Sequence, residues 1–383
     1  MDFELSEEQK MIRETVRDFA EREIKPVAKE LDEKAEFSVE LTNKMGELGL
    51  FGMCLPEKYG GQGLDNLSYI IAVEEIARID GSQAATLAAH NSLGVGPLYY
   101  YGNEEQKMKY LPMLCTGETL WGFGLTEPDA GSDSRGTKTK ARLEGEEWVI
   151  DGSKIFITNA SADISVGSTV QCVTGEKENG RKEFTTILVE KDTPGFKRVS
   201  MHGKMMWRAS DTGELYFDDC RVPKENLLGK VGQGSKIMLS TLDNGRLSIA
   251  AMGLGLAQGA FEMALQYAKE RKQFGKPIVK FQIISFKLAD MALKIELARN
   301  LLYKACWLKD ADKPFAKESA MSKLYCSEIA RQVADEAVQI HGGYGLMKDY
   351  DIERFYRDQR LLQIGEGTSE IQRIVISRYI DAI

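Results

Sequence analysis

The sequence predicts an α+β protein of three packed domains: an N-terminal helical domain, a middle β domain and a C-terminal helical bundle. Apolar residues repeat at helical spacing up to about residue 115 and again after Gly232. Between them lie short β-branched and aromatic runs separated by turn residues. A chain of 383 residues is also too long for one ordinary core. We place the domains at residues 1–118, 119–230 and 231–383.

The N-terminal domain is predicted from two clear helical segments. Ser6-Glu-Glu-Gln9 has the form of a capping box, and apolar residues follow at helical spacing up to Phe19. A second apolar helix is predicted at residues 67–79. By the same periodicity, Glu74 and Glu75 should lie on its exposed side.

The middle domain is predicted from a hairpin and two further strands. Residues 148–150 and 155–157 flank Asp151-Gly152, a pair that suits a type I′ turn. Residues 184–190 and 215–222 are additional runs with strand composition.

The C-terminal bundle is predicted from segments 281–308 and 316–340, which keep apolar i, i+3, i+4 spacing. Gly253-x-Gly255-x-x-x-Gly259 looks superficially like a dinucleotide-binding fingerprint. Its third glycine comes one position too late and no strand precedes it, so we expect these glycines to allow close helix packing instead.

Composition excludes several classes of function. The formal net charge of −8 argues against nucleic-acid binding, because phosphate backbones are held chiefly by Lys and Arg. Six scattered cysteines without a CxxC pair indicate thiols in a reducing compartment. Three distant histidines make a metal site or a histidine-based triad improbable. The acidic start and the lack of a long apolar run favour a bacterial cytoplasm and no membrane span.

Five polar or glycine-rich segments are candidates for a ligand site. Residues 123–133, 155–159, 270–277 and 339–345 each have an equally ordinary structural interpretation as a loop, a core strand or a helix end. In the fifth, Glu366 stands between two glycines just before a predicted helix at residues 371–379. A carboxylate there is either a general base, if burial raises its pKa, or a helix-capping acidic turn.

Together, in this order and spacing, the five segments resemble the acyl-CoA dehydrogenase family, and the resemblance covers essentially the whole chain. It implies a helical domain, a β domain and a C-terminal four-helix bundle. It also implies FAD as cofactor, an acyl-CoA as substrate, electron-transfer flavoprotein as electron acceptor and a homotetramer.

The resemblance also assigns roles to individual residues of this sequence. It implies that FAD is contacted by Phe123, Leu125, Thr126, Ser132, Phe156, Thr158, Arg271, Phe274, Gln282, Gln339, Gly342, Gly343, Thr368 and Glu370. Among these, the groups around Arg271 and Gln339 would reach the FAD of a neighbouring subunit. Substrate contacts are implied for Ser132, Asp243, Arg246 and Gly367.

Glu366 matches the commonest position of the base that removes the α-proton. One branch of the family places its base one residue before the substrate-side arginine, and here that residue is Gly245. The resemblance further implies that the Glu366 backbone N–H and a ribityl hydroxyl bind the thioester oxygen, while hydride passes from Cβ to flavin N5.

The sequence does not decide which acyl group the substrate carries. A short-chain, butyryl-like substrate is our leading hypothesis. Residues 89–93, and Met206 where the family more often has glycine, motivate a branched, alicyclic or dicarboxylic alternative. A non-catalytic flavin-binding scaffold is the alternative from another class.

Overall fold

The computed structural model describes residues 4–382, which form a helical region, a β-sheet and a second helical region in that order along the chain. The helices of the first region are α1 (Glu7–Phe19), α2 (Lys25–Lys34), α3 (Val39–Glu47), α4 (Asn66–Ala77), α5 (Gly81–Ala89), α6 (Gly96–Tyr101) and α7 (Glu104–Leu114). Short π-helical segments at Ala20–Ile24 and His90–Val95 join α1 to α2 and α5 to α6.

Side-chain caps fix where several of these helices begin. The Ser6 hydroxyl accepts from the Gln9 N–H at 3.1 Å, and the Gln9 side chain accepts from the Ser6 N–H at 3.1 Å. The predicted capping box is therefore confirmed. Asn103 and Gln106 form the same reciprocal pair at the start of α7.

The prediction that Glu74 and Glu75 are exposed is wrong. Both carboxylates are buried on α4, with relative exposures of 3% and 2%. Glu75 accepts from Arg17, with Nε at 2.9 Å, and Glu74 accepts from the Tyr303 hydroxyl at 2.7 Å. Residues 66–77 are buried on every side, so periodicity could not separate an exposed face from a buried one.

The β region is one eight-stranded sheet. Its strands are β1 (Leu120–Gly124), β2 (Lys140–Glu144), β3 (Glu147–Thr158), β4 (Ser165–Glu176), β5 (Lys182–Glu190), β6 (Phe196–Ser200), β7 (Thr212–Pro223) and β8 (Leu227–Leu228). The order is β6-β7-β3-β2-β4-β5-β8, and β1 pairs with β4 in parallel. Its own core includes Trp148, Ile187 and Phe217.

The predicted hairpin at Asp151-Gly152 is wrong, because β3 runs unbroken through both residues. The turn lies earlier, at Gly145, where β2 reverses into β3. Gly152 instead occupies an irregularity in the pairing of β3 with β7. A Cβ there would lie 2.6 Å from the Thr139 Oγ1, so the glycine permits close approach within the sheet rather than a reversal.

The second helical region contains α8 (Gly234–Glu270), α9 (Gln282–Asp310), α10 (Ala316–His341), α11 (Ile352–Asp358) and α12 (Ser369–Tyr379). A small hairpin of β9 (Lys272–Gln273) and β10 (Lys276–Pro277) joins α8 to α9. One buried cluster includes residues from Val16 to Leu362 and joins this bundle to the N-terminal helices. The predicted α, β, α architecture is confirmed; the exact domain boundaries stay a prediction.

Helix α8 is the centre of the helical core. It is also the one helix in residues 4–382 that is long and apolar enough to cross a membrane, but 78% of that apolar window is buried inside the protein. A core helix has the same properties, and the structure therefore gives no clear membrane span.

The glycines of α8 confirm the prediction of close helix packing. A Cβ on Gly255 would lie 2.2 Å from the Glu74 carbonyl oxygen, and one on Gly259 would lie 2.1 Å from that of Arg78. Both carbonyls belong to the end of α4. On another face, a Cβ on Gly253 would lie 2.9 Å from the Cys326 carbonyl oxygen of α10.

Alanine at Gly259 should therefore destabilise the protein, although alanine is the better helix former. The added methyl forces α8 and α4 apart, and overpacking of this kind costs about 1–3 kcal/mol. We expect the thermal unfolding midpoint to fall by at least about 2 °C. The matched control is Gly175→Ala on the exposed end of β4, where the new methyl meets only the tip of a side chain at 3.5 Å. Equal midpoints for the two variants would contradict this packing argument.

Candidate active site

A cavity of about 640 Å³ lies where the sheet meets the two helical regions. Its walls come from α5 and the segment after it, the 123–134 loop, β3, the 201–212 segment, α8 and the turn before α12. It contains ten of the predicted site residues: Phe123, Leu125, Thr126, Ser132, Phe156, Thr158, Arg246, Glu366, Gly367 and Thr368. Residues separated by up to 245 positions in the sequence (123 to 368) thus converge on one cavity.

The sheet side of the cavity carries hydroxyl groups and an exposed aromatic ring. Thr126, Ser132 and Thr158 line it, together with Phe156. Phe156 has φ = 61° and is 62% exposed, which is unusual for a strand residue. The segment 155–159 is therefore not simply a core strand, since the backbone turns this ring toward the cavity instead of the sheet core.

A buried ion pair fixes the loop that carries Thr126 and Ser132. The Lys154 ammonium lies 2.7 Å from the Glu127 carboxylate, and both side chains are buried. The same carboxylate accepts from the backbone N–H groups of Lys138 and Thr139, at 2.6 and 3.0 Å. These bonds anchor the loop to β3 and to the residues just before β2, so its hydroxyls face the cavity from a rigid support.

The turn before α12 holds Glu366 in a strained conformation. Glu366 has φ = 52° and is followed by Gly367 with φ = 90°. A left-handed conformation costs a non-glycine residue about 1–2 kcal/mol and persists only where its surroundings enforce it. Here Thr368 caps α12 through the Ile371 N–H, and the Gln372 amide donates to the carbonyl oxygens of Glu366 (3.2 Å) and Gly367 (2.9 Å).

The Glu366 carboxyl group packs against α8 at Gly245, which has no side chain. A Cβ on Gly245 would lie 1.9 Å from the Glu366 Oε2, so any other residue there would displace the carboxyl. Oε2 is buried and has no hydrogen-bond partner among residues 4–382. Desolvation raises the pKa of Glu366 to about 7, against the opposing effect of the Lys323 and Arg246 cations.

The backbone of Glu366 is also available to a ligand. Within the described chain its N–H makes no hydrogen bond, while its carbonyl accepts from Gln372. A free N–H beside an unpaired carboxyl, both at the cavity, is the combination that acidifies a carbonyl compound and removes its proton.

Much of the cavity lining is apolar. The helical regions contribute Ala85, Ala88, Ala89, Leu93, Leu242, Ile249 and Met252. The two cations that line the cavity already have partners in the structure. Arg246 lies 2.5 Å from the Asp243 carboxylate, and the Lys204 ammonium donates to the hydroxyl oxygens of Ser210 and Thr212.

Residues 89–93 and the residues around Met206, which motivated a different acyl group, contribute unequally to the cavity lining. Within residues 89–93 only Ala89 and Leu93 line the cavity. His90 is fully buried and bonded to the Leu114 carbonyl at 2.8 Å. Around Met206, in residues 204–208, the side chains of Lys204, Met206 and Trp207 line the cavity wall, so Met206 does narrow this space compared with glycine.

Several predicted residues lie outside the cavity. Arg271, Gly342 and Gly343 share an open groove with Tyr344, whose ring centroid lies 5.8 Å from the Arg271 guanidinium carbon. Phe274, between β9 and β10, is 91% exposed. Gln282, Gln339 and Glu370 are exposed as well. Asp243 does not line the cavity itself, but its carboxylate contacts Arg246, which does. Their roles in binding FAD or substrate stay predictions.

The sequence interpretation missed two residues that hold the Glu366 turn, Gln372 and Lys323. Lys323 is completely buried on α10, and its ammonium donates to the Gly367 carbonyl at 2.7 Å. A signal was present: Lys323 lies at helical spacing between the small residues Ala320 and Ser327, on a face that should be buried. A lysine in such a stripe indicates a specific partner.

Within residues 4–382 no group of three or more His, Cys, Asp or Glu side chains is arranged to hold a metal ion. All six cysteines are free thiols, and five of them are buried.

Comparison with known proteins agrees with this arrangement. Three family models match: acyl-CoA dehydrogenase N-terminal domain (residues 6–118), middle domain (122–220) and C-terminal domain (232–380). A probable acyl-CoA dehydrogenase of Bacillus subtilis is 52% identical over 99% of this chain and 100% of its own length. The short-chain specific acyl-CoA dehydrogenase of Clostridium acetobutylicum is 47% identical over 98% and 99%.

Among solved structures, butyryl-CoA dehydrogenase from Megasphaera elsdenii superposes with a TM-score of 0.96 at 44% identity, covering 99% of this chain and 100% of that one. Sequence, fold and the convergence of the site residues agree, and this chain belongs to the acyl-CoA dehydrogenase family.

Proposed function

We propose that this chain is an FAD-dependent dehydrogenase that converts a short-chain acyl-CoA to the trans-2-enoyl-CoA, with Glu366 removing the α-proton. The observation that carries the proposal is the Glu366 carboxyl, buried at the cavity without a partner and beside its own free N–H. The short-chain specific and butyryl-CoA enzymes named above support the choice of substrate.

The residues of the cavity fit the ring system of FAD. The exposed face of Phe156 suits a planar heterocycle, and the hydroxyls of Thr126, Ser132 and Thr158 suit its polar edge. Bound FAD would supply the hydride acceptor for the Cβ hydrogen.

Glu366 is suited to take the α-proton because its pKa, raised to about 7 by burial, lies near working pH. A base with such a pKa is both ionised in a useful fraction and strong enough to accept a proton. The proton goes to Oε1 or Oε2, and the electron pair of the Cα–H bond becomes the new Cα–Cβ double bond as the Cβ hydrogen leaves with its own pair.

The thioester oxygen needs hydrogen-bond donors while negative charge develops on it. We assign one donor to the Glu366 N–H, held in place by the left-handed backbone of its own residue and by Gln372. A single preorganised donor of this kind is commonly worth about 3–4 kcal/mol in the transition state.

A short aliphatic acyl group suits the cavity better than a dicarboxylic one, because much of its lining is alanine, leucine, isoleucine and methionine. An ω-carboxylate packed against these side chains would lose its hydration, which costs several kcal/mol. Of the two cations in the lining, Arg246 is paired with Asp243, and the Lys204 ammonium is held by the hydroxyl groups of Ser210 and Thr212.

A non-catalytic flavin scaffold accounts less well for the site. Nothing in such a protein would require a strained glutamate whose carboxyl is buried unpaired and accommodated by Gly245.

We further propose a homotetramer, electron-transfer flavoprotein as acceptor and a cytoplasmic location. The groove at Arg271 and Gly343 suits an anionic part of a neighbouring subunit's FAD. On α9, four exposed apolar residues at helical spacing, Ile283, Phe286, Leu293 and Leu297, suit a subunit contact. Bacterial relatives and six free thiols support a reducing cytoplasm.

The variant Glu366→Gln tests the base. It keeps the size of the side chain but cannot accept the α-proton, so butyryl-CoA should bleach the bound flavin at least about 100-fold more slowly, with FAD content unchanged. Anaerobic stopped-flow absorbance measures this. Glu225→Gln, an exposed glutamate outside the cavity, is the control and should bleach at the wild-type rate. Full-speed bleaching by Glu366→Gln would remove this residue from the mechanism.

A panel of acyl-CoAs tests the substrate. We expect kcat/KM to be highest for butyryl-CoA and lower for octanoyl-, isobutyryl- and cyclohexanecarboxyl-CoA. Glutaryl-CoA should be at least about 100-fold poorer because its carboxylate would lose hydration against the apolar lining. A preference for a branched, alicyclic or dicarboxylic thioester would agree with the proposed reaction but contradict the proposed substrate. No bleaching by any of them would contradict the proposed reaction.

The pH dependence follows from the raised pKa of Glu366. Only the carboxylate accepts a proton, so kcat/KM for butyryl-CoA should rise with pH, with a midpoint near 7, and fall about tenfold per unit below it. Stopped-flow bleaching between pH 5.5 and 8.5 gives this profile. A flat profile across that range would mean that no group with this pKa is required.

A further inference from the structure

We propose that Lys323 is a positioning residue for Glu366: its buried ammonium group fixes the Glu366–Gly367 turn and stabilises the ionised carboxylate by its charge. The inference rests on the proposed function, because it assigns a role within the reaction of that site. Lys323 lies on α10, which contributes no residue to the cavity lining, and it acts on the site through the Gly367 carbonyl.

The burial of Lys323 is the first observation. Its side chain has no exposed surface, and its ammonium has no carboxylate within ion-pair distance among residues 4–382. Burying an ammonium group is costly unless it is compensated. The single strong contact is the 2.7 Å hydrogen bond to the Gly367 carbonyl oxygen, directly after Glu366.

The hydrogen bond alone does not account for a lysine at this position. The Gln372 amide already donates to the same Gly367 carbonyl at 2.9 Å, so the turn has a neutral donor without Lys323. The neighbours of Lys323 on its face of α10, Ala320 and Ser327, are small and uncharged. What Lys323 adds is a buried positive charge, held at the residue that follows the base.

The charges around Glu366 leave Lys323 as the main cation acting on it. Lys323 and Arg246 both lower the pKa of Glu366, and the effect of Lys323 is the larger. Arg246 is compensated by Asp243 at 2.5 Å. Tyr69, on which Glu366 also acts electrostatically, has a pKa raised by burial and stays neutral. Without Lys323, less positive charge would oppose the effect of desolvation, and the pKa of Glu366 would be higher.

The surroundings of Lys323 keep it charged at neutral pH. Burial lowers its pKa to about 8, while Glu366 opposes this most, followed by Glu370 and Glu328; Arg246 acts in the same direction as burial. Glu370 is exposed and Glu328 is paired with Arg373, so among these three acids Glu366 is the one that is buried at the cavity without an ion-pair partner. The two buried groups thus stabilise each other's charged forms between about pH 7 and 8.

The test is the pH profile of flavin bleaching by butyryl-CoA in four holoenzymes. Lys323→Gln keeps a donor for the Gly367 carbonyl but removes the charge. We expect its midpoint to move up by about one pH unit, and kcat/KM at pH 6 to fall about tenfold. Lys323→Arg keeps the charge and should restore the midpoint. Gln372→Leu removes the neutral donor to the same carbonyl and should slow bleaching without moving the midpoint.

An unshifted midpoint in Lys323→Gln, with wild-type FAD content, would overturn the inference. Lys323→Met, which lacks both charge and donor, is the second neutral variant and should show the same upward shift if Lys323→Gln does not fold. Absence of bleaching in the wild type would overturn the proposed function, whereas Glu366-dependent bleaching with an unshifted midpoint would overturn only the role of Lys323.

Discussion

The architecture depends on how closely other elements approach the central helix α8. Four of its glycines face four neighbouring groups: Gly255 and Gly259 contact the end of α4, Gly253 contacts α10, and Gly245 accommodates the Glu366 carboxyl. Each contact is closer than a methyl group would allow. The same property therefore joins the N-terminal helices to the bundle and creates the space for the base. Fold and site are not independent features of this chain.

The close packing of the Glu366 carboxyl against Gly245 of α8 determines the pKa of this base. Against α8 the Glu366 carboxyl loses water without gaining a hydrogen bond to Oε2, and its pKa rises. The strained turn that presents it is held from α12 by Gln372 and from α10 by Lys323. Desolvation makes such a carboxylate a stronger base, and a buried cation keeps it ionised. The balance between these two effects decides the fraction of enzyme that is ready to react at neutral pH.

Much of this could be predicted from the sequence, for identifiable reasons. The order of helical and β regions followed from periodicity, and the Ser6–Gln9 cap followed from local chemistry. Resemblance named ten residues that do converge on the cavity. Periodicity failed where a segment is buried on all sides, as at Glu74, and turn chemistry failed at Gly152, where the glycine serves a close contact instead of a reversal. The spacing of Lys323 between small residues indicated that it is buried, but its partner is a backbone carbonyl 44 residues away, which no local pattern encodes.

The central claim is that Glu366 acts as a base, and the most direct measurement separates proton removal from oxidation. Methylthioacetyl-CoA has the shape of butyryl-CoA, but sulfur replaces Cβ, so it has α-protons and no hydride to lose. In D₂O the wild-type enzyme should exchange its α-protons for deuterium, as followed by mass spectrometry, and Glu366→Gln should not exchange them above the rate in buffer. Equal exchange by both enzymes would contradict the account, because another group would then be the base.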